Sequence, residues 1–463
     1  MSPIISQSIA SIWHSFPSIP ILASTSEAAE EPAVLASVLL SLVMIYIASK
    51  LGGELSKAVD LPPVLGELVG GVVVGTSALH LLIFPESGAE AADSVIMQVL
   101  QAISGLTPEA LNSVFETQSE IVSVLAELGV IILLFEIGLE SDLRELQKVG
   151  IQAALVAVVG VVAPFAAGTA GLMVLFNVST IPAIFAGAAL TATSIGITSK
   201  VLSELGSLKS KEGQIIVGAA VIDDVLGIIV LAVVASLAKT GEVDVFNVLY
   251  LIIGASAFLL GAIFLGKFFN KSFVAIADRL QTRGNLVIPA FTFAFFMAFL
   301  ANAIQLEAIL GAFAAGLVLD ETDKRKELDK QVVPIADILV PIFFITVGAK
   351  ADLGVLNPTV PSNREGLIIA AFLIAIAIIG KIIAGWAVFD SEPTNRLAIG
   401  IGMVPRGEVG LVFAGIGAAS GVLSKPLEAA IIIMVILTTF LAPPLLRVAF
   451  KEQDKVEQTD LAS

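Results

Sequence analysis

Cysteine is absent from the 463 residues, and histidine occurs only twice, at His14 and His80. The first absence excludes a disulfide framework, a thiolate nucleophile and a cysteine-based metal site. The two histidines are isolated and read as surface or interface residues. Charge is also scarce. Asp, Glu, Lys and Arg make up 14% of the chain, against 57% hydrophobic residues, which is too apolar for a soluble protein of this length. The net charge of −16 argues against nucleic acid as a partner. Residues 1–33 hold no Lys or Arg, so they lack the positive region of a secretory signal peptide and read as an external tail.

What is present is a succession of apolar stretches long enough to cross a bilayer. Thirteen are read: 34–49, 62–84, 121–139, 149–176, 180–202, 213–236, 246–265, 285–304, 306–320, 335–349, 366–389, 396–422 and 428–448. The fold class is therefore an all-α polytopic membrane protein. Lys and Arg set the orientation. With the N-terminus outside, inner segments hold 18 of these residues and outer segments 4, with Lys200, Lys381 and Arg406 inside spans, which accounts for all 25. The C-terminus is then cytoplasmic, and 451–463 is a short cytosolic tail. Residues 85–120 form a long outer loop with six carboxylates and no basic residue. It is expected to include an amphipathic helix over 91–104. It reads as a solvated cap or as a funnel whose field concentrates cations.

The chain repeats itself. Gly138 to Leu143 matches Gly348 to Leu353 at an offset of 210, and Leu65-Gly66 with Gly71 matches Leu310-Gly311 with Gly316 at an offset of 245. The extra length is that of the 85–120 loop. Repeat 1 then covers about 34–236, 246–265 is a linker helix, and repeat 2 covers about 285–448. Matched spans lie seven apart. Seven is odd, so the copies face opposite ways in the membrane, as in many secondary transporters with a midplane ion site. The fifth span (Leu190-Thr-Ala-Thr-Ser-Ile-Gly-Ile-Thr-Ser199) and the twelfth (Gly400-Ile-Gly-Met-Val-Pro-Arg-Gly-Glu-Val-Gly410) carry helix breakers or backbone-competing hydroxyls at mid-span. Each is predicted to unwind there, with Gly196 falling on Arg406 at the 210 offset. Thr193 and Ser194 could supply ligand oxygens or close helix packing. Arg406 and Glu408 need partners and would brace the broken helix.

Asp223 and Asp224 lie within the apolar run 213–237. One Asp near a helix centre costs about 2.5–3.5 kcal/mol on insertion scales, so such groups mark function. Neighbours on one helix diverge by about 100°, which lets one carboxylate meet a fixed cation while the other faces a water-filled path. Lys381, too deep to snorkel, is the obvious cation. The remaining membrane carboxylates, Glu67, Glu127 and Glu136, read as interfacial or cavity-facing groups.

These residues resemble a family. Leu61-Pro-Pro-Val-Leu-Gly-Glu67, Leu133-Leu-Phe-Glu-Ile-Gly-Leu-Glu140, Ala192-Thr-Ser-Ile-Gly-Ile-Thr198, Ala220-Val-Ile-Asp-Asp-Val-Leu-Gly227, Gly380-Lys381 and Pro405-Arg-Gly-Glu-Val-Gly-Leu411 are similar in order and spacing to the second large group of bacterial cation/proton antiporters. The likeness is greatest to the NapA-type sodium/proton antiporters and covers about 34–450. The resemblance implies that Asp224 binds the cation in competition with protons and that Asp223 pairs with Lys381 when no cation is bound. Thr193, Ser194, Arg406 and Glu408 would sit on the two crossing helices. It further implies a core domain sliding past a dimerisation domain in a homodimer. The Asp-Asp pair with a lysine is similar to that of the electrogenic members. A nucleotide-binding domain like that of the glutathione-gated potassium systems is not expected after the last span. Glu136 departs from the family pattern and reads as an extra titratable group.

The expected function is therefore exchange of Na⁺, Li⁺ or K⁺ for protons across a bilayer. No cofactor and no enzyme chemistry are expected. A buried carboxylate can be neutralised by a proton or a cation but not well by both, and with no core histidine the coupled titration falls to carboxylates and Lys381. The expected location is a bacterial inner membrane or an internal membrane such as the thylakoid. Two alternatives within transport are a sodium-coupled organic-anion carrier on the same plan and a channel or receptor using the scaffold. An intramembrane aspartyl protease needs two Asp side chains meeting from different helices, which adjacent residues do not provide.

Overall fold

The computed structural model describes residues 26–462, apart from 241, 360 and 390–393. His14 and most of the expected outer tail lie outside that range. Every regular element among the described residues is helical. In chain order the helices are α1 (Ser26–Ala58), α2 (Pro63–Val74), α3 (Val95–Ser104), α4 (Pro108–Glu140), α5 (Leu143–Lys148), α6 (Gly150–Leu175), α7 (Thr180–Ala189), α8 (Ile195–Glu204) and α9 (Lys211–Thr240). They continue with α10 (Val245–Arg279), α11 (Val287–Ala303), α12 (Ala308–Asp320), α13 (Arg325–Lys350), α14 (Pro361–Gly385), α15 (Arg396–Gly402), α16 (Glu408–Ala419) and α17 (Lys425–Ala462). Eight of them are long and apolar enough to span a bilayer on their own. The others are shorter, and they include the halves of two broken helices and the polar α5. The protein is a multi-pass integral membrane protein. The amphipathic segment of the outer loop is α3, which starts at residue 95 rather than 91 because the Ser94 hydroxyl accepts from Met97 N and caps it there.

The helices pack as two bundles. One holds α6–α9 and α14–α17, and the other holds α1, α2, α4 and α10–α13. Packing is dense within each and sparse between them. Glycine permits the closest crossings. A Cβ on Gly138 would lie 2.3 Å from the Phe313 carbonyl, and one on Gly316 would lie 2.2 Å from that of Phe135. A Cβ on Gly71 would lie 2.3 Å from the Ile345 carbonyl, and one on Gly348 would lie 2.1 Å from that of Leu68. These are the glycines that the sequence repeat equates. Gly138 meets Gly316 and Gly348 meets Gly71, and exchanging the two copies turns one contact into the other.

The two breaks fall where the unwinding was expected, at 190–194 and 403–407. Their register differs from the sequence expectation. Ala189 and Gly402 end the first halves and Ile195 and Glu408 begin the second, so the breaks are 213 residues apart. Arg406 therefore corresponds to Thr193 and not to Gly196. α6 and α14 still end 210 residues apart and both breaks are five residues long, so the three extra residues lie between the end of α14 and the end of α15.

Candidate functional site

The broken helices cross at their unwound stretches and hold each other through the backbone. Ser194 N donates to the Pro405 carbonyl at 2.9 Å, Thr193 Oγ1 to that of Met403 at 3.0 Å, and Thr198 Oγ1 to that of Gly402 at 2.9 Å. A Cβ at Gly407 would fall 2.9 Å from Ser194 Oγ, so only glycine allows this approach.

Backbone carbonyls in the unwound stretch after α7 have no helical partner. Two buried cations answer them. Lys381 Nζ donates to the Thr191 carbonyl at 2.8 Å, and Arg406 Nη1 donates to that of Ala192. The carbonyl of Arg406 in turn accepts from Thr439 Oγ1. Both cations are fully buried. Lys381 arrives there because α14 crosses α6 closely. A Cβ on Gly380 would lie 2.9 Å from Pro164 Cβ, and one on Gly160 would lie 3.3 Å from Lys381 Nζ.

Asp223 and Asp224 sit in the middle of α9 and point to different places. Both oxygens of Asp223 accept from Lys381 Nζ at 3.2 Å, and neither side chain of the pair is exposed. The ammonium thereby places its donors on a carboxylate and a carbonyl. Asp224, 3% exposed, lines a cavity of about 10 Å³ together with Thr193, Ser194, Glu307 and Gly407. That is room for one water or one stripped monovalent cation. The starts of α8 and α16 border the same cavity, where partial positive charge supports a carboxylate. Oxygen donors and carboxylate charge suit a hard monovalent cation or a proton.

A larger cavity of about 220 Å³ lies between the bundles, with Ser123, Glu127, Lys350, Arg406 and Gly407 in its wall. Gly407 lines both cavities. The wall of the larger cavity reaches the face that carries residues 85–120: Lys350 Nζ donates to Ser123 Oγ at 3.3 Å, pairs with Glu86 at 3.6 Å and sits 4.7 Å over the Phe84 ring. At the opposite face the bundles touch. Val64 N donates to Glu204 Oε2 at 3.2 Å, Ser203 Oγ donates to Glu140 Oε2 at 3.2 Å, and Asp60 pairs with Arg447 and Lys451.

The structure thus brings together Asp223, Asp224, Lys381, Thr193, Ser194 and Arg406. Glu127 borders the larger cavity. Glu67 and Glu136 line neither cavity. Glu67 accepts from Ser49 Oγ at 2.8 Å, and both carboxylates have Lys200 and Asp337 as charged neighbours. The side chain of Glu408 lies outside the described residues. Sequence reasoning missed Thr191, whose contribution is a carbonyl and leaves no trace in residue type. It also missed Glu307, the second residue of the 306–320 stretch, whose arrival at the cavity depends on packing between the bundles.

The pattern of the family described as "Sodium/hydrogen exchanger, transmembrane" matches residues 35–451. The chain is 60% identical over 440 residues to the high-affinity Na⁺/H⁺ antiporter NhaS3 of Synechocystis sp., covering 95% of each chain. It is 31% identical to the Na⁺/H⁺-K⁺ antiporter GerN of Bacillus cereus, over 89% of this chain and 96% of GerN. Among solved structures, the sodium proton antiporter MjNhaP1 of Methanocaldococcus jannaschii superposes with a TM-score of 0.60 at 16% identity, over 90% of this chain and 97% of the other. That likeness is one of fold.

Proposed function

This chain belongs to the sodium/hydrogen exchanger family, and from that premise we propose that it exchanges Na⁺ or Li⁺, and K⁺ to the extent its cavity admits the larger ion, for protons across a membrane. The observation that carries the reading is Asp224, almost fully buried beside a water-sized cavity at the crossing of two broken helices. Burial disfavours the bare carboxylate. A proton or a cation therefore neutralises Asp224, and each excludes the other. Asp223 and Lys381 form the companion pair. Cation binding at Asp224 brings a second positive charge beside Lys381 and weakens its hold on its proton, so the two titrations are coupled and exchange is electrogenic.

The transport step is an elevator-type movement. The bundle holding α6–α9 and α14–α17 carries the site as the core, and the other bundle, which includes α1, α2, α4 and α11–α13, is the dimerisation scaffold of a homodimer. Sparse packing between the bundles and the cavity between them support this division. The core moves when Asp224 is neutral, because carrying a bare charge through the low-dielectric interface costs too much. We assign 34–450 to this antiporter unit, with the 85–120 face outside, the C-terminal segment cytoplasmic, and the protein in the cell membrane or an internal membrane. The 18:4 distribution of Lys and Arg supports that orientation.

The test is dequenching of a pH dye in proteoliposomes on addition of Na⁺, Li⁺ or K⁺, for the wild type and Asp224→Asn. Cation-dependent proton movement that disappears in the variant is expected. No proton movement with any of the three ions, in protein shown to be folded and inserted, would sink the reading and favour the organic-anion carrier.

A further inference from the structure

The cavity beside Asp224 is not made by the core bundle alone. Ala192, Thr193, Ser194, Asp224 and Gly407 belong to it, but Glu307 and Ile309 come from the other bundle. Glu307 occupies the N-cap position of α12. The turn that carries it is tightly fixed. Gln305 takes a left-handed conformation at φ +65°, which a residue with a Cβ adopts only when its surroundings dictate it. Gln305 N donates to the Asn302 carbonyl at 2.9 Å, Leu306 N to that of Ala301 at 2.9 Å, and Leu306 is buried. A Cβ at Gly311 would lie 2.2 Å from the Met297 carbonyl, so α11 and α12 are locked against each other just beyond the turn. A rigid hairpin of the scaffold therefore sets Glu307 into the wall of the core's cation cavity.

We propose that Glu307 is a second carboxylate of the cation site, supplied by the stationary bundle and present only while the core stands as it does here. This rests on the exchange reading given above. A monovalent cation in the water-sized cavity meets two carboxylates in this state. When the core moves, Asp224, Thr193 and Ser194 travel with it and Glu307 stays behind. The site thus has a different donor set on each side of the membrane, and its affinity is higher on the face that carries residues 85–120. A cation that binds the two states unequally shifts the balance between them.

The experiment is Na⁺-dependent proton flux in proteoliposomes of known orientation, with Na⁺ offered from either face, for wild type, Glu307→Gln and Glu307→Asp. Thermal unfolding in detergent serves as a folding control. For Glu307→Gln the KM for Na⁺ should rise about 10- to 100-fold from the 85–120 face, the scale of one charge-assisted contact. From the other face it should stay within about twofold of wild type, a margin well below that tenfold step. Glu307→Asp, which keeps the charge, should recover part of the loss and carries the test if Glu307→Gln does not fold. An unchanged KM from the 85–120 face, or an equal rise from both faces, would overturn the proposal while leaving the exchange reading intact. A wild type without cation-driven proton flux would overturn both.

Discussion

Replacing Lys381 by Met strands the Asp223 carboxylate in a place with no solvent contact, and it leaves the Thr191 carbonyl without its donor. Removing one partner of a buried ion pair costs about 3–5 kcal/mol. Asp223→Asn should cost a similar amount, because the buried ammonium then has only neutral oxygens for partners and no counter-charge. The double variant Asp223→Asn with Lys381→Met removes both charges and should behave differently. Its remaining penalty is the Thr191 carbonyl and the buried amide at 223, about 1–3 kcal/mol for each left unsatisfied. It should therefore be more stable than Lys381→Met alone, and the sum of the singles should exceed the double by at least about 2 kcal/mol, a coupling typical of groups in contact. The assay is equilibrium unfolding in mixed detergent–SDS micelles, with all four proteins in the same buffer without Na⁺. Additivity of the two substitutions to within about 0.5 kcal/mol would refute the argument that these side chains form one desolvated pair.

Gly160→Val fills the space against Lys381, since even a Cβ there would sit 3.3 Å from Nζ and 3.4 Å from Cδ. It should cost about 1–3 kcal/mol by overpacking and slow exchange without removing any charged group, measurable by unfolding and dye dequenching together. Asp60→Asn removes the charge that pairs with Arg447 and Lys451 while keeping a side chain suited to the left-handed backbone there (φ +60°), and Asp60 is 78% exposed. Stability should fall by less than about 1 kcal/mol, with the loss shrinking further as salt is raised from 0.05 to about 0.5 M, and a larger or salt-insensitive loss would contradict a solvated contact.

Much of the architecture was legible because the bilayer makes sequence speak plainly. Backbone groups in hydrocarbon must be satisfied within the segment, so every apolar stretch of sufficient length reads as a helix. The short stretches 306–320 and 335–349 were harder. The second is the end of the 26-residue α13, whose first half, with Arg325, Lys326 and Asp329, is polar enough to hide the helix from a hydropathy reading. The breaks in the fifth and twelfth spans were signalled by Thr193-Ser194 and by Pro405 with Gly407. Their relative register was not, because the three residues that turn 210 into 213 enter between the end of α14 and the end of α15, where no matched letters fix the offset.

The sequence by itself determined that this is a polytopic helical protein built on a duplicated plan, and that Asp223, Asp224, Lys381 and Arg406 are charges in apolar spans. Composition, periodicity and the cost of burying charge suffice for that, since each is a property of one segment or of the chain as a list. Which charge meets which was left to the tertiary structure. Adjacent carboxylates on one helix diverge, and only the close crossing of α6 and α14 decides that Asp223 takes Lys381 while Asp224 turns to the cavity. The hold of Lys381 and Arg406 on the carbonyls of the unwound stretch, and the arrival of Glu307 from the other bundle, likewise depend on contacts across more than 80 residues of chain. Such contacts are set by packing between helices, which no local pattern encodes.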